Sequence, residues 1–186
     1  MNIMIVGVGG QGTLLASRIL GKVAIKSGYD VKISEVHGMS QRGGSVVTYV
    51  KYGDKVYSPI IDRGEADIIL AFEMLEAYRA LPYLKKGGEI IANTQQMNPM
   101  PVITGAMEYP ADIERKLGEK VKLTAVDALS AAENAGTLKA VNVVLIGVLA
   151  KSTNVDKDVW LETIKETVPQ KFLDVNLKAF EIGYGM

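Results

Sequence analysis

Apolar positions along the chain follow two rhythms. Short runs, continuous or alternating every second residue, read as strands; longer runs with apolar residues three and four apart read as helices. Met1–Val6 is a short apolar run that ends in glycines, the pattern of a buried strand. Residues 13–27 place Leu14, Leu15, Ile19, Val23 and Ala24 at helical spacing, and Gly28 stops that helix. Asp30–Val36 reads as a second strand. Residues 45–58 read as a hairpin: Val46, Thr48 and Val50 alternate with Val47 and Tyr49, and Gly53-Asp54 supplies a turn.

The same rhythms continue to the end of the chain. Asp67–Phe72 reads as a buried strand, Glu73–Leu84 as a helix ended by Gly87-Gly88, and Glu89–Asn93 as a strand. Residues 95–110 hold Pro99, Pro101, Gly105 and Pro110 and read as a loop with a short extended piece at Val102-Ile103. Ala111–Leu117 predicts a helical turn or two, Val121–Val126 a strand, and Ala128–Ala135 a helix. Ala140–Lys151 is apolar on nearly all sides, so it predicts a helix buried against other protein. Asp156–Thr167 and Gln170–Ile182 predict helices with one charged face, and Trp160 there reads as core or interface. Strands alternating with helices predict an α/β fold, a three-layer α/β/α arrangement with a mainly parallel, Rossmann-like sheet and an antiparallel hairpin. The length of 186 residues suits one domain, residues 1–186, with a helical C-terminal segment at 156–186.

Composition narrows the function. The charges cancel, with 21 Lys plus Arg against 21 Asp plus Glu, so neither nucleic acid nor an anionic membrane surface is expected as partner. The chain has no cysteine, which excludes disulfides and any cysteine-ligated iron–sulfur cluster held by this chain alone. The first residues lack a basic region and a small-residue cleavage site, and no apolar run approaches the ~20 residues of a spanning helix. A soluble cytoplasmic protein without a signal peptide is therefore expected.

Two segments carry candidate chemistry. The first is Gly7-Val8-Gly9-Gly10-Gln11-Gly12, a G-x-G-x-x-G loop between a strand and a helix. Glycines there permit a tight turn, and the helix N-terminus offers unpaired N–H groups to an anion. With Glu35 at the end of the next strand, one reading is a stand-alone dinucleotide-binding protein. A second is that the glycines only let strand and helix pack closely. A third is a loop lining a pocket or partner surface at the carboxyl ends of the strands. Against the first stand the false-positive rate of the bare motif and the absence of a second constellation for hydride transfer.

The second segment, Ser34–Val46, reads "SEVHGMSQRGGSV" and is dense in glycine and polar residues. His37 is the only histidine, either structural or part of a site. No ligand-spaced metal cluster and no G-x-S-x-G elbow accompanies it. Arg42 beside Gly43-Gly44 sets a cation against bare backbone, suited to a carboxylate, a phosphate or a partner's acid; a structural ion pair is the alternative. Asn142 is a polar residue inside an apolar helix, either tied to these loops or satisfied in the core.

In order and spacing, "GVGGQG", "EVHGMSQRGGSV", "ILAFEMLEAYRALPYLKKGG" and "LKAVNVVLIGVLA" resemble the gamma-type domain of the 2-oxoacid:ferredoxin oxidoreductases over roughly residues 1–150. Within that family the wording "HGMSQRGG" is similar to the small subunits of the indolepyruvate type; pyruvate and 2-oxoglutarate relatives tend to carry a Tyr-Gly-Pro-Glu type sequence before Arg-Gly-Gly. The resemblance implies a holoenzyme that decarboxylates an aryl 2-oxoacid with thiamine diphosphate, bound through Mg, as carbanion sink. It also implies that electrons pass through iron–sulfur clusters to ferredoxin and that the acyl group leaves on coenzyme A. The thiamine and the clusters are then expected on a large partner subunit. The missing cysteines agree, as does the lack of a Gly-Asp-Gly motif (Lys55 follows Gly53-Asp54). No residue of this chain is expected to be catalytic. The expected cofactor-binding or partner-facing residues are Gly7, Gly9, Gly10, Gln11, Gly12, His37, Ser40, Gln41, Arg42, Gly43 and Gly44.

Overall fold

Buried almost throughout, strand β1 (Asn2–Val8) runs through the middle of a six-stranded sheet in the computed structural model, which describes residues 1–40 and 42–186. Gln41 lies outside the described residues. Helix α1 (Thr13–Lys26) follows the glycine loop and ends at Ser27-Gly28, where Gly28 takes φ 85° and Tyr29 N–H donates to the Ala24 carbonyl. Strands β2 (Asp30–His37) and β3 (Ser45–Gly53) come next, then β4 (Ala66–Ala71), helix α2 (Met74–Ala80) and β5 (Leu84–Asn93). The rest is α3 (Met100–Ile103), α4 (Ile113–Gly118), β6 (Lys122–Val126), α5 (Ala128–Ala135), α6 (Val141–Lys151), α7 (Lys157–Thr167) and α8 (Leu173–Gly185).

The strand order is β2-β3-β1-β4-β5-β6. Strands β1, β4, β5 and β6 are parallel, while β3 is antiparallel to both β1 and β2. One face carries α1 and α5–α8 around a core that includes Ile3, Ile5, Leu70 and Ile91; the other carries α2 and α4 around Met4, Val6, Ile69 and Ile90. This is the expected mixed sheet with helices on both faces.

Four local expectations are corrected. The antiparallel hairpin is β2–β3, and not a hairpin within 45–58. Strand β3 gives both of its hydrogen-bonding edges to β1 and β2, so no edge is left for a local partner, and the Asp30 carboxylate holds the segment after it by accepting Val56 N–H at 2.9 Å. Helix α2 stops at Ala80, before a 3₁₀ turn at Leu81–Tyr83, because Pro82 has no N–H to continue the helix. Gly87-Gly88 lies inside β5, where the β4–β5 register shifts; a Cβ on Gly88 would sit 2.8 Å from the Asp67 carbonyl. Residues 100–103 form one helical turn and not an extended piece, with Pro101 in its first turn, where a fixed φ favours the helix.

Helix α6 is buried on all sides as expected, and the chain's own tail supplies much of the cover. Gly147 and Gly183 let α6 and α8 cross at backbone contact: a Cβ on Gly183 would lie 2.0 Å from the Val144 carbonyl oxygen. Trp160 is fully buried against Phe180, with ring centroids 6.4 Å apart, so it belongs to the core.

Candidate functional site

The two candidate segments meet. Beyond the Val8–Ser45 pair, Gly9 N–H donates to the Gly44 carbonyl at 2.9 Å, and Gly43 N–H donates to the Gly9 carbonyl at 3.4 Å. The antiparallel β1–β3 ladder thus runs on into both loops and sets them side by side at the carboxyl end of β1. Three glycines of the first loop have separate reasons. A Cβ on Gly7 would fall 2.9 Å from Phe72 Cβ, Gly10 needs its φ of 104°, and Gly12 combines φ 85° with Asn142 Nδ2 2.7 Å from where its Cβ would stand. Asn142 Nδ2 also donates to the Gly12 carbonyl at 3.4 Å, so helix α6 is tied to the loop.

Gln11 is the loop's internal brace. Its Oε1 accepts Val8 N–H at 2.7 Å, and its Nε2 donates to the Phe72 carbonyl at 3.0 Å and to Gln95 Oε1 at 3.3 Å. Asn93, fully buried, donates to the same Phe72 carbonyl and to Gln95 Oε1, and accepts Ala128 N–H. The ends of β1, β4 and β5 and the start of α5 are therefore stitched by three side-chain amides. Asn93 and Gln95 were not singled out from the sequence. Their signal is position: they sit at and just after the end of β5, where ligands meet open α/β sheets.

The second segment is more open. His37 ends β2, is exposed, and has Nδ1 3.1 Å from the Gly38 carbonyl. Ser40 is exposed, and its hydroxyl donates to the Arg42 carbonyl at 2.6 Å. Arg42 is exposed, and among the described residues no acid lies within ion-pair distance of it. The structural ion pair considered for it is thus not formed there. Glu35, His37 and Val46 share a cavity of about 400 Å³ with Gly9, Gly10, Gly12, Thr13 and Leu14.

A second buried polar cluster backs the same edge. Glu73 caps α2 by accepting Glu76 N–H at 2.8 Å, and its other oxygen accepts Met97 N–H at 3.0 Å and the Tyr109 hydroxyl at 2.6 Å. Burial, then the neighbouring Glu73 carboxylate, pushes the Tyr109 phenol well above its ordinary range. Ser45, first residue of β3, donates to Glu76 at 2.5 Å, and Arg79 pairs with the other Glu76 oxygen. These contacts fix the far wall of the 43–45 turn.

The topology bears on the dinucleotide reading. In a dinucleotide-binding sheet the second strand lies beside the first, bringing its terminal acid to the glycine loop. Here β3 is inserted between β1 and β2, so Glu35 stands two strand spacings from β1, roughly 9.5 Å instead of about 4.8 Å. Its carboxylate accepts the Thr48 hydroxyl of the inserted strand at 3.3 Å. The larger cavity, about 970 Å³, lies elsewhere, between β6 and α4, and holds none of the expected residues. Without a cysteine thiolate, this chain by itself offers no cysteine ligand to an iron–sulfur cluster. Among the described residues no three His, Asp or Glu gather as a metal site.

Residues 2–186 match the family described as pyruvate ferredoxin/flavodoxin oxidoreductase. The chain is 46% identical to indolepyruvate oxidoreductase subunit IorB of Pyrococcus horikoshii, over 98% of this chain and 93% of that one. Its fold is like that of the gamma subunit of a keto/oxoacid ferredoxin oxidoreductase from Geobacter sulfurreducens, with a TM-score of 0.74, 24% identity and coverage of 99% and 96%. It is also like part of 2-oxoglutarate:ferredoxin oxidoreductase from Magnetococcus marinus, a structure with 2-oxoglutarate, coenzyme A and succinyl-CoA bound. There the TM-score is 0.73 and the identity 16%, covering 100% of this chain and 30% of that one. The chain belongs to the pyruvate ferredoxin/flavodoxin oxidoreductase family.

Proposed function

We propose that this chain is the small, non-catalytic subunit of a cytoplasmic indolepyruvate:ferredoxin oxidoreductase. With a large partner subunit carrying thiamine diphosphate, Mg and iron–sulfur clusters, it oxidises the 2-oxoacid to an acyl-CoA and CO2 and reduces ferredoxin. The chain's own part is to wall the coenzyme A side of the active site with residues 7–12 and 37–44. The observation that carries this is the pairing of Gly9 with Gly43 and Gly44, which sets Arg42 beside the glycine loop at the sheet's carboxyl edge. An exposed guanidinium and the Gly10 and Gly12 N–H groups, which that pairing leaves unused, are suited to phosphate oxygens. Support comes from the similarity to the IorB subunit and from the fold shared with a protein whose structure holds coenzyme A.

What this chain does chemically is bind and orient. Gln11 and Asn142 hold the loop in one shape before a ligand arrives, so little ordering is left to oppose binding. Affinity purification of the tagged chain from its native host is the test. The expected result is a large thiamine- and cluster-bearing subunit and coenzyme A-dependent reduction of ferredoxin by indolepyruvate. Recovery of the chain alone, or with partners lacking both groups, overturns the reading.

A further inference from the structure

Amide oxygens and nitrogens are alike in size, so the polarity of an amide must be deduced from partners that can only donate or only accept. At the carboxyl edge such partners fix every amide. Val8 N–H can only donate, so Gln11 must turn Oε1 toward it; the Phe72 carbonyl can only accept, so Gln11 Nε2 and Asn93 Nδ2 both face it. Ala128 N–H can only donate, which fixes Asn93 Oδ1 independently. Both amides then direct N–H toward Gln95, at 3.3 and 3.4 Å. Gln95 can meet two donors only with Oε1. Its Nε2, with two N–H bonds, is therefore held on the opposite corner of the amide, away from the network.

Gln95 is half-buried, and its backbone is fixed as well: its carbonyl accepts Met74 N–H at 3.1 Å. One hydrogen bond through Gln11 joins it to the loop that contains Gly7–Gly12. We infer that Gln95 is a further binding residue of this edge, a pre-aimed donor for an acceptor-only oxygen such as a carboxylate or phosphate oxygen. The inference rests on the proposed function, in which this edge faces an active site with two ligands that carry such oxygens: coenzyme A, and the 2-oxoacid through its carboxylate.

Gln95→Glu separates the two ends of the side chain. One carboxylate oxygen still accepts from Gln11 and Asn93, while the outward donors become a negative oxygen. Gln95→Met removes both ends. In the complex reconstituted with its large partner, the KM for 2-oxoacid and for coenzyme A would be measured for each variant, with coenzyme A affinity read by calorimetry. Gln95→Glu should keep assembly and raise one of the two KM values by about 10- to 100-fold, the loss expected for a hydrogen bond to a charged group. Which KM rises identifies the ligand. Both KM values within about twofold of the parent in an assembled Gln95→Glu complex would overturn the inference. So would a rise in Gln95→Met alone, which assigns the effect to the inward oxygen. If Gln95→Glu fails to assemble, unchanged KM values in Gln95→Met overturn it equally. A parent complex without activity on any aryl 2-oxoacid overturns the proposed function instead.

Discussion

Asn142 and Gly12 stand 130 residues apart in the chain, yet the Asn142 amide donates to the Gly12 carbonyl and occupies the space where a Gly12 side chain would be. Helix α6 thereby forms the floor of the glycine loop. The loop's shape is set by a distant buried helix as much as by its own glycines.

Gly12→Ala tests that floor. The left-handed φ of 85° costs a non-glycine residue about 1–2 kcal/mol, and the new methyl meets the Asn142 amide at 2.7 Å. Thermal or denaturant unfolding should show a loss of about 2–3 kcal/mol, at the upper end of the usual range for point changes. Gly12→Ala combined with Asn142→Ala should recover the steric part and leave the backbone part.

Gln11→Glu tests the brace. Once ionised, the introduced carboxylate still accepts from Val8 but faces the Phe72 carbonyl and Gln95 Oε1 with no proton to donate. The folded state then favours the protonated acid, so its pKa lies above the ordinary ~4.3. With a raised pKa, the variant should match its parent below about pH 4 and fall behind as pH rises past that value. Paired urea titrations at pH 4 and pH 7 read the difference, about 1–3 kcal/mol at the higher pH. A deficit equal at both values would contradict the assigned polarity of Gln11.

Much of this arrangement is legible in the sequence. The strand–glycine loop–helix unit follows from the apolar run of β1 and the spacing in α1, and the density of Gly and polar residues at 35–45 marks the second segment. What is not legible is pairing. Residues 45–58 carry both strand alternation and a Gly-Asp turn, so local rules favour a hairpin there. The observed hairpin is β2–β3, because β3 is more fully paired as an inner strand between β1 and β2. Gln95 and Glu73 escape sequence reading for a related reason. Apart from following the carboxyl end of a strand, nothing in the chain distinguishes them; their role arises only where the ends of β1, β4 and β5 converge.

Inserting β3 between β1 and β2 moves Glu35 one strand farther from β1 than a dinucleotide-binding sheet places its ribose-binding acid. Titration calorimetry with NAD or FAD should show no saturable binding at millimolar concentration. A dissociation constant in the micromolar range would instead support a stand-alone dinucleotide-binding protein, with Gly7–Gly12 on the diphosphate and Glu35 on the ribose.

Tyr52 predicts an alkaline limit. Burial, then the neighbouring Tyr29, pushes its phenol up to about 12. A phenol whose folded pKa is raised contributes stability fully below its unfolded value, near 10, and loses it progressively as pH rises toward 12. Tyr52→Phe should therefore narrow its stability gap from the parent between pH 10 and 12, measured by urea unfolding at fixed ionic strength. A gap constant across that interval would show that Tyr52 is not the titrating group.

Arg42→Ala separates a ligand-binding arginine from a scaffold residue. The side chain is exposed and no described acid pairs with it, so the isolated chain should keep its stability to within about 0.5 kcal/mol. In the reconstituted complex, losing a guanidinium contact to a phosphate should raise the KM for coenzyme A by about 10- to 100-fold, with a smaller change in the KM for indolepyruvate. Arg42→Lys keeps the charge but not the planar fork, and should recover only part of the loss. Unchanged coenzyme A dependence in both variants would remove Arg42 from the site and leave the family assignment standing, since that rests on the whole chain and not on one cation.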